Sequence, residues 1–383
     1  MMRTLLAATR KGLVVLRGAD ADWRVDALHF SGEPVTQLLA DPRDGAWYCA
    51  LRLGHFGVKL HKSLDQGAHW QEIAAPAFPP KPADGPWADD PTPWSVDLLW
   101  ELAAGGADEP GVLWAGCIPA GLFRSGDGGA SWQLVASLWD QPGRREWMGG
   151  GYDHAGVHSI LVDPRDARHL TVAISCGGVW QTHDGGAHWD LAARGMHASF
   201  MPPERAEDQN IQDPHCLVQC AAAPDVLWVQ HHCGIYRSAD GARQWQRIAP
   251  PVPSDFGFAV AADPADPLRA WFVPARADAQ RMPVDGRLVV TRTDDGGASF
   301  QSFGAGLPQH DAFHLVYRHG LAVAPDGRTL AMASTTGALW LSDDAGAHWH
   351  TLARDLAPVA AVRFAPATAR ASRDGSPGLR ETA

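Results

Sequence analysis

A chain of 383 residues with a net charge of −11, 45% hydrophobic and 20% charged side chains has the makeup of a folded soluble protein rather than a disordered one. The acidic balance, without any Lys/Arg cluster, argues against a nucleic-acid partner, and the lack of an 18-residue apolar run argues against a membrane span. Forty Gly, 29 Pro and 17 Trp, against 12 Phe and 4 Tyr, require many tight turns and large buried faces, which short strands joined by hairpins supply.

The first twelve residues, MMRTLLAATRKG, hold a short apolar stretch ended by Arg10 and Lys11, with no small-residue cleavage site. Six Cys scattered along the chain suit a reducing compartment, so a cytoplasmic protein is expected. Residues 4–28 read as three strands, LLAAT, LVVLR and a third ending the segment, without an inner strand before them. A motif follows that recurs six times: SLDQGAHW at 63–70, SGDGGASW at 125–132, THDGGAHW at 182–189, SADGARQW at 238–245, TDDGGASF at 293–300 and SDDAGAHW at 342–349. Its aspartates are 62, 57, 56, 55 and 49 residues apart. Each copy follows an alternating strand and precedes another, so it is read as a hairpin turn. The hydroxyl and carboxylate bond the turn's own amides, Gly supplies positive φ, and the aromatic packs back between layers. The last inner-type strand, VAAVRFAP at 359–366, has nothing after it and is expected to complete the N-terminal blade. Residues 367–383 are expected to form a disordered tail.

This S/T-x-D-x-G-x-x-W pattern resembles the Asp-box, or BNR repeat, of sialidases and related β-propellers. Departures occur at Ala242, in place of Gly, and at Phe300, in place of Trp. The resemblance implies an all-β, seven-bladed β-propeller over residues 1–366, closed by the C-terminal strand. It also implies that the boxes lie on the face away from any ligand, so their aspartates are structural. Sialidase chemistry is not expected: that family's Arg-Ile-Pro motif is missing, and of the four Tyr only Tyr152 falls on the ligand-type face.

On that face the connections 74–94, 136–156 and 193–214 and the loop 274–286 are long, and long loops in a compact fold are usually functional or disordered. They carry Trp87, Trp94, Trp139 and Trp147, which either form an aromatic wall for a sugar-like ligand or pack the loops down. Trp94, Trp147, Tyr152, Arg52, Arg276 and Arg281 are the candidate ligand-binding residues, the arginines for an anionic group. Histidines on this face cluster in GGGYDHAGVHSI, QDPHCLV, QHHCG and QHDAFHLV, and His154, His158, His215, His310 and His314 fall at or before the starts of inner strands beside the central channel. Imidazole with carboxylate is a ligand set for Zn or Mn, so His158, His215, His231, His232 and His314 are candidate metal ligands. Asp153 and Asp213, with His154 and His310, are candidates for proton transfer or for supporting the ligands. A metal-free His/Asp hydrogen-bond site is the alternative. Three functions stay open: a metal-assisted hydrolase or lyase on a small polar or sugar-like molecule, a non-catalytic binding scaffold, and a sialidase-type glycosidase.

Overall fold

The computed structural model describes residues 2–19 and 22–366; the expected tail, 367–383, lies outside them. Among the described residues, 28 strands form seven antiparallel sheets of four, and the single α-helical stretch is the four-residue Ala136–Trp139. The protein is a seven-bladed β-propeller. Six sheets are built from strands consecutive in sequence. The other takes Val359–Ala365 from the end of the chain and pairs it, in antiparallel register, with Arg3–Thr9, followed by Gly12–Ala19 and Asp22–His29. Counting that sheet as blade 1, the inner strands of blades 2 to 7 are Val35–Ala40, Leu98–Ala104, Val157–Asp163, Pro214–Cys220, Gly257–Ala262 and Leu321–Val323.

Alternation along each strand puts an apolar row on both faces of every blade, and each row is covered by the neighbouring blade. Seven apolar clusters result. One joins blades 1 and 2 around Leu6, Val15 and Trp47; another joins blades 7 and 1 around Leu341, Leu5 and Val362. Trp47, Trp114, Trp228, Trp271 and Trp340 are almost wholly buried in these interfaces. Each withdraws ~200 Å² from water, a gain of about 5 kcal/mol before chain entropy is counted.

The six turns share one bonding scheme. In the second, the Ser125 hydroxyl donates to Asp127 Oδ1 at 2.8 Å and accepts the Gly129 N–H at 2.9 Å, while Asp127 Oδ1 accepts the Ser131 N–H. The hydroxyl accepts the N–H four residues on in every copy, including Ala242, which adopts φ 66° where Gly is usual. The aromatic that ends a turn reaches toward the preceding blade: Trp132 and Trp245 donate their indole N–H to Ala74 O and Ala192 O.

At the axis the inner strands bring polar groups together. His319 Nε2 lies 2.8 Å from His158 O and 3.0 Å from Glu101 Oε2, so this nitrogen carries the proton; Nδ1 then accepts from Gln37 Nε2 at 3.2 Å. Gln37 also donates to Trp100 O, and Arg363 approaches Glu101. Burial opposes ionisation of Glu101, but the neighbouring His319 and Arg363 hold its carboxyl below the ordinary value. Five blades are tied by this network.

Removing the Ser125 hydroxyl leaves the buried Gly129 N–H unpaired. Ser125→Ala is expected to cost about 1–3 kcal/mol, whereas Ser125→Thr, the residue two other turns use, costs much less. The shift in urea midpoint measures both.

Candidate active site

The long loops on the face opposite the turns are fastened to each other before they shape any site. Arg144 is buried between the rings of Trp87 and Trp139, at 4.0 and 3.9 Å, and pairs with the buried Asp90 at 2.7 Å. Trp94 packs edge-on against Trp139, and Trp147 donates its indole N–H to Asn210 Oδ1 while Asn210 donates to Gly143 O. The four tryptophans outside the blades therefore lace the loops at 74–94, 136–156 and 193–214 together. Trp94 and Trp147 are drawn into this packing rather than forming an open aromatic wall.

The laced loops hold Gly150 over Asp213. A Cβ on Gly150 would come within 3.2 Å of both Asp213 Oδ1 and Cys176 Sγ, so a side chain there would press directly on the carboxylate. Asp213 itself is 2% exposed and stands just before the inner strand of blade 5. Its Oδ1 accepts the Cys176 N–H from blade 4 at 3.0 Å. Its Oδ2 lies 3.4 Å from His215 Nε2 and 3.4 Å from His232 Nδ1. His215 Nδ1 is 2.7 Å from Gly257 O, an acceptor only, so in the neutral ring the proton is on Nδ1 and the Nε2 lone pair faces the carboxylate. Phe258 stacks on the other side of this imidazole at 4.5 Å, and Phe200 and Phe256 meet His232 edge-on. Burial works against a charge on Asp213, yet the adjacent His215 and His232 hold its carboxyl well below the usual range. Asp213, His215 and His232 are the one group among the described residues whose donor atoms approach closely enough to share a metal ion.

The remaining candidates go elsewhere. His158 Nε2 donates to Pro214 O at 2.7 Å and its Nδ1 meets the Ser159 hydroxyl, leaving no lone pair for a metal. His231 is buried with both ring nitrogens facing backbone N–H groups, those of Asp213 and Cys233, and burial pushes its pKa down to about 3. It braces the loop and lies outside the Asp213–His215–His232 group. His314 bonds Thr336 and Ser334 in blade 7, outside the cluster. Asp153 and His310 are exposed, and His154 lines a small niche beside Trp139 and Arg144. Arg52 is committed to Asp97 on the surface, and Arg276 is exposed. Tyr152 and Arg281 do reach the site's surroundings: Tyr152 meets Trp100 edge-on at 5.2 Å, and the Arg281 guanidinium lies 5.3 Å from the Phe258 ring.

Sequence reasoning passed over Phe258, Trp100 as a channel wall, Arg318, and the backbone amide of Cys176. The signal for Arg318 was present in HLVYRHGLAV, where an Arg-His pair interrupts an otherwise apolar approach to an inner strand. A shallow concavity of about 490 Å³, bordered by Asp263, Asp266, Asp326 and Asp344, lies on the turn-bearing side and not at this cluster.

By sequence, the chain matches no protein-family model and no curated protein. In structure it is similar to the GH74 xyloglucanase from Xanthomonas campestris, with 17% identity, a TM-score of 0.61, and 92% of this chain aligned to 52% of that one. It is also similar to an ancestral GH74 enzyme, at 15% identity and TM-score 0.55 over 87% of this chain and 38% of that one. YCF48 from Cyanidioschyzon merolae is 12% identical, with a TM-score of 0.51 over 84% and 86% of the two chains. The chain spans about half or less of the two GH74 structures, and at these identities the likeness shows the propeller fold alone.

Burial, followed by the charge of Arg318, holds His158 well below the ordinary imidazole value. Unfolding exposes a ring that takes a proton near pH 6.5, so the unfolded state binds more protons than the folded one below that pH. Stability is therefore lost as pH falls from about 6.5, by up to about 1.4 kcal/mol per pH unit for this site. In His158→Gln, the slope of urea midpoint against pH below 6.5 should be shallower than in the wild type, whatever the variant's level at pH 7.

Proposed function

We propose that the protein is a metal-dependent hydrolase or lyase acting on a small polar molecule, with a divalent cation held by Asp213, His215 and His232. What supports this reading is the spacing of the donors. Asp213 Oδ2 is 3.4 Å from each imidazole nitrogen, too long for a good hydrogen bond. It is about the ligand-to-ligand edge of a tetrahedron with bonds of about 2.0–2.1 Å. In the neutral tautomer that Gly257 O sets, the His215 Nε2 lone pair faces the carboxylate, an arrangement a cation relieves. Two nitrogens and one oxygen are a donor set suited to Zn or Mn, and three protein ligands leave a position open.

When bound, the cation would polarise a substrate oxygen or lower the pKa of a water toward neutrality. The chain's own residues set its surroundings. Cys176 N–H fixes the carboxylate so that Oδ2 is the free oxygen, and Gly257 O fixes the His215 tautomer, the support such ligands normally receive. Phe200, Phe256 and Phe258 pack against the rings of the two imidazoles and hold their orientation. Asp213 thus moves from candidate base to ligand. The cluster contains a single carboxylate, whereas glycoside hydrolysis of the usual kind needs two facing carboxyl groups, so the glycosidase alternative draws no support from it. The six turns are, in the same reading, Asp boxes of the BNR type with a purely structural task.

Protein purified without an affinity tag should contain close to one Zn or Mn per chain by elemental analysis. Chelation should lower the melting temperature, and metal at a hundredfold excess over Kd should restore about 2.7 kcal/mol. His215→Gln and His232→Gln should lose the metal while His158→Gln keeps it. A wild-type protein without stoichiometric metal, its melting temperature unmoved by Zn or Mn, removes the reading in favour of a metal-free site or a scaffold.

A further inference from the structure

We infer that the molecule this centre acts on carries a carboxylate, bound by the guanidinium of Arg318. The inference rests on the metal-centred reading for where the reacting bond lies, but the anion site itself requires no metal.

Arg318 opens the short 3-10 turn Arg318–Gly320 that leads into the inner strand of blade 7. It is 6% exposed, and its Nε and Nη2 are buried with no hydrogen-bond partner among the described residues. Burying an unpaired guanidinium costs several kcal/mol, and its contact with the face of Trp100, at 4.4 Å, recovers only part of this. Asp213, whose charge bears on Arg318, forms no ion pair with it: one oxygen is taken by Cys176 N–H, and the other is turned to the two imidazoles. The edge of the guanidinium that carries Nε and Nη2 is thus buried and unpartnered, and it is the edge that suits planar two-point recognition of an anion.

Its position ties the anion to the proposed metal. The Phe258 ring stacks on His215 and also lies 5.8 Å from the Arg318 guanidinium and 5.3 Å from that of Arg281. A single ring therefore separates a ligating imidazole from both cationic groups. Pairing and shape then narrow the anion's identity. Arg281 is already paired with Asp278 at 2.6 Å, whereas Arg318 forms no ion pair among the described residues. A flat carboxylate matches the guanidinium edge, with one oxygen for Nε and one for Nη2. Trp100 and Tyr152, edge to face at 5.2 Å, add an apolar wall, so the carboxylate is expected on a body with an apolar face.

Benzoate, with benzamide as its neutral isostere, tests this on metal-depleted protein by calorimetry and by Trp fluorescence. Benzoate should saturate one site and bind at least tenfold more tightly than benzamide. Arg318→Met should lose that preference. Arg318→Lys, which keeps the charge and loses the fork, should fall between, and near-UV circular dichroism reports whether each variant is folded. Should Arg318→Met not fold, Arg318→Lys still decides the matter. Equal binding of benzoate and benzamide, or undiminished benzoate affinity in the folded variants, overturns the inference. Preference for benzoate in a protein that holds no metal would sink the metal reading and leave the carboxylate site standing; stoichiometric metal with no such preference would do the reverse.

Discussion

One hydroxyl, used six times, sets the geometry of the ring. At the end of the third strand of blades 2 to 7, Ser or Thr accepts the N–H four residues on and donates to the Asp carboxylate, which accepts further amides of the same turn. The turn's amides are thereby satisfied locally, and the fourth strand leaves in a fixed direction. Because the aromatic that ends the turn packs toward the blade before it, the same short segment also sets the spacing between blades. All of this is done on one face. The opposite face is relieved of structural duty, and its loops vary from a few residues to more than twenty.

That division explains what the sequence makes legible. The turn is a local device: hydroxyl, carboxylate, glycine and aromatic sit within eight residues, and each has a bonding task readable from its type. Blade count and strand order follow from repetition, and even the unboxed first blade is recognisable by the inner strand it lacks. The site follows no such rule. His158 and His215 occupy similar places at the starts of adjacent inner strands, yet one imidazole turns to Pro214 O and the other to Asp213. Nothing in either local sequence specifies that choice, because the deciding acceptors, Pro214 O and Gly257 O, belong to the next blade along. Which of the histidines share a neighbour is a tertiary property. Trp94 and Trp147 illustrate the same limit, since their partners are other long loops whose paths composition does not give.

The axis shows how a polar channel is made compatible with folding. Glu101, His319, Gln37 and Arg363 come from different blades and satisfy one another, with backbone carbonyls taking the remaining protons. Arg318, the neighbour of His319 in sequence, is the exception, with two guanidinium nitrogens left out of the network. The bonding that is completed at His319 is left at Arg318 for a water, an ion or a ligand to complete.

Asp213 has one oxygen bonded to the blade before its own and the other directed at two imidazoles within its own blade. The site is therefore a gauge of the seam between blades 4 and 5. A slight parting of that seam, far smaller than unfolding and invisible in the overall strand content, withdraws the Cys176 amide and frees the carboxylate to swing. The integrity of the cluster is then bounded by this one pair of blades rather than by the stability of the whole.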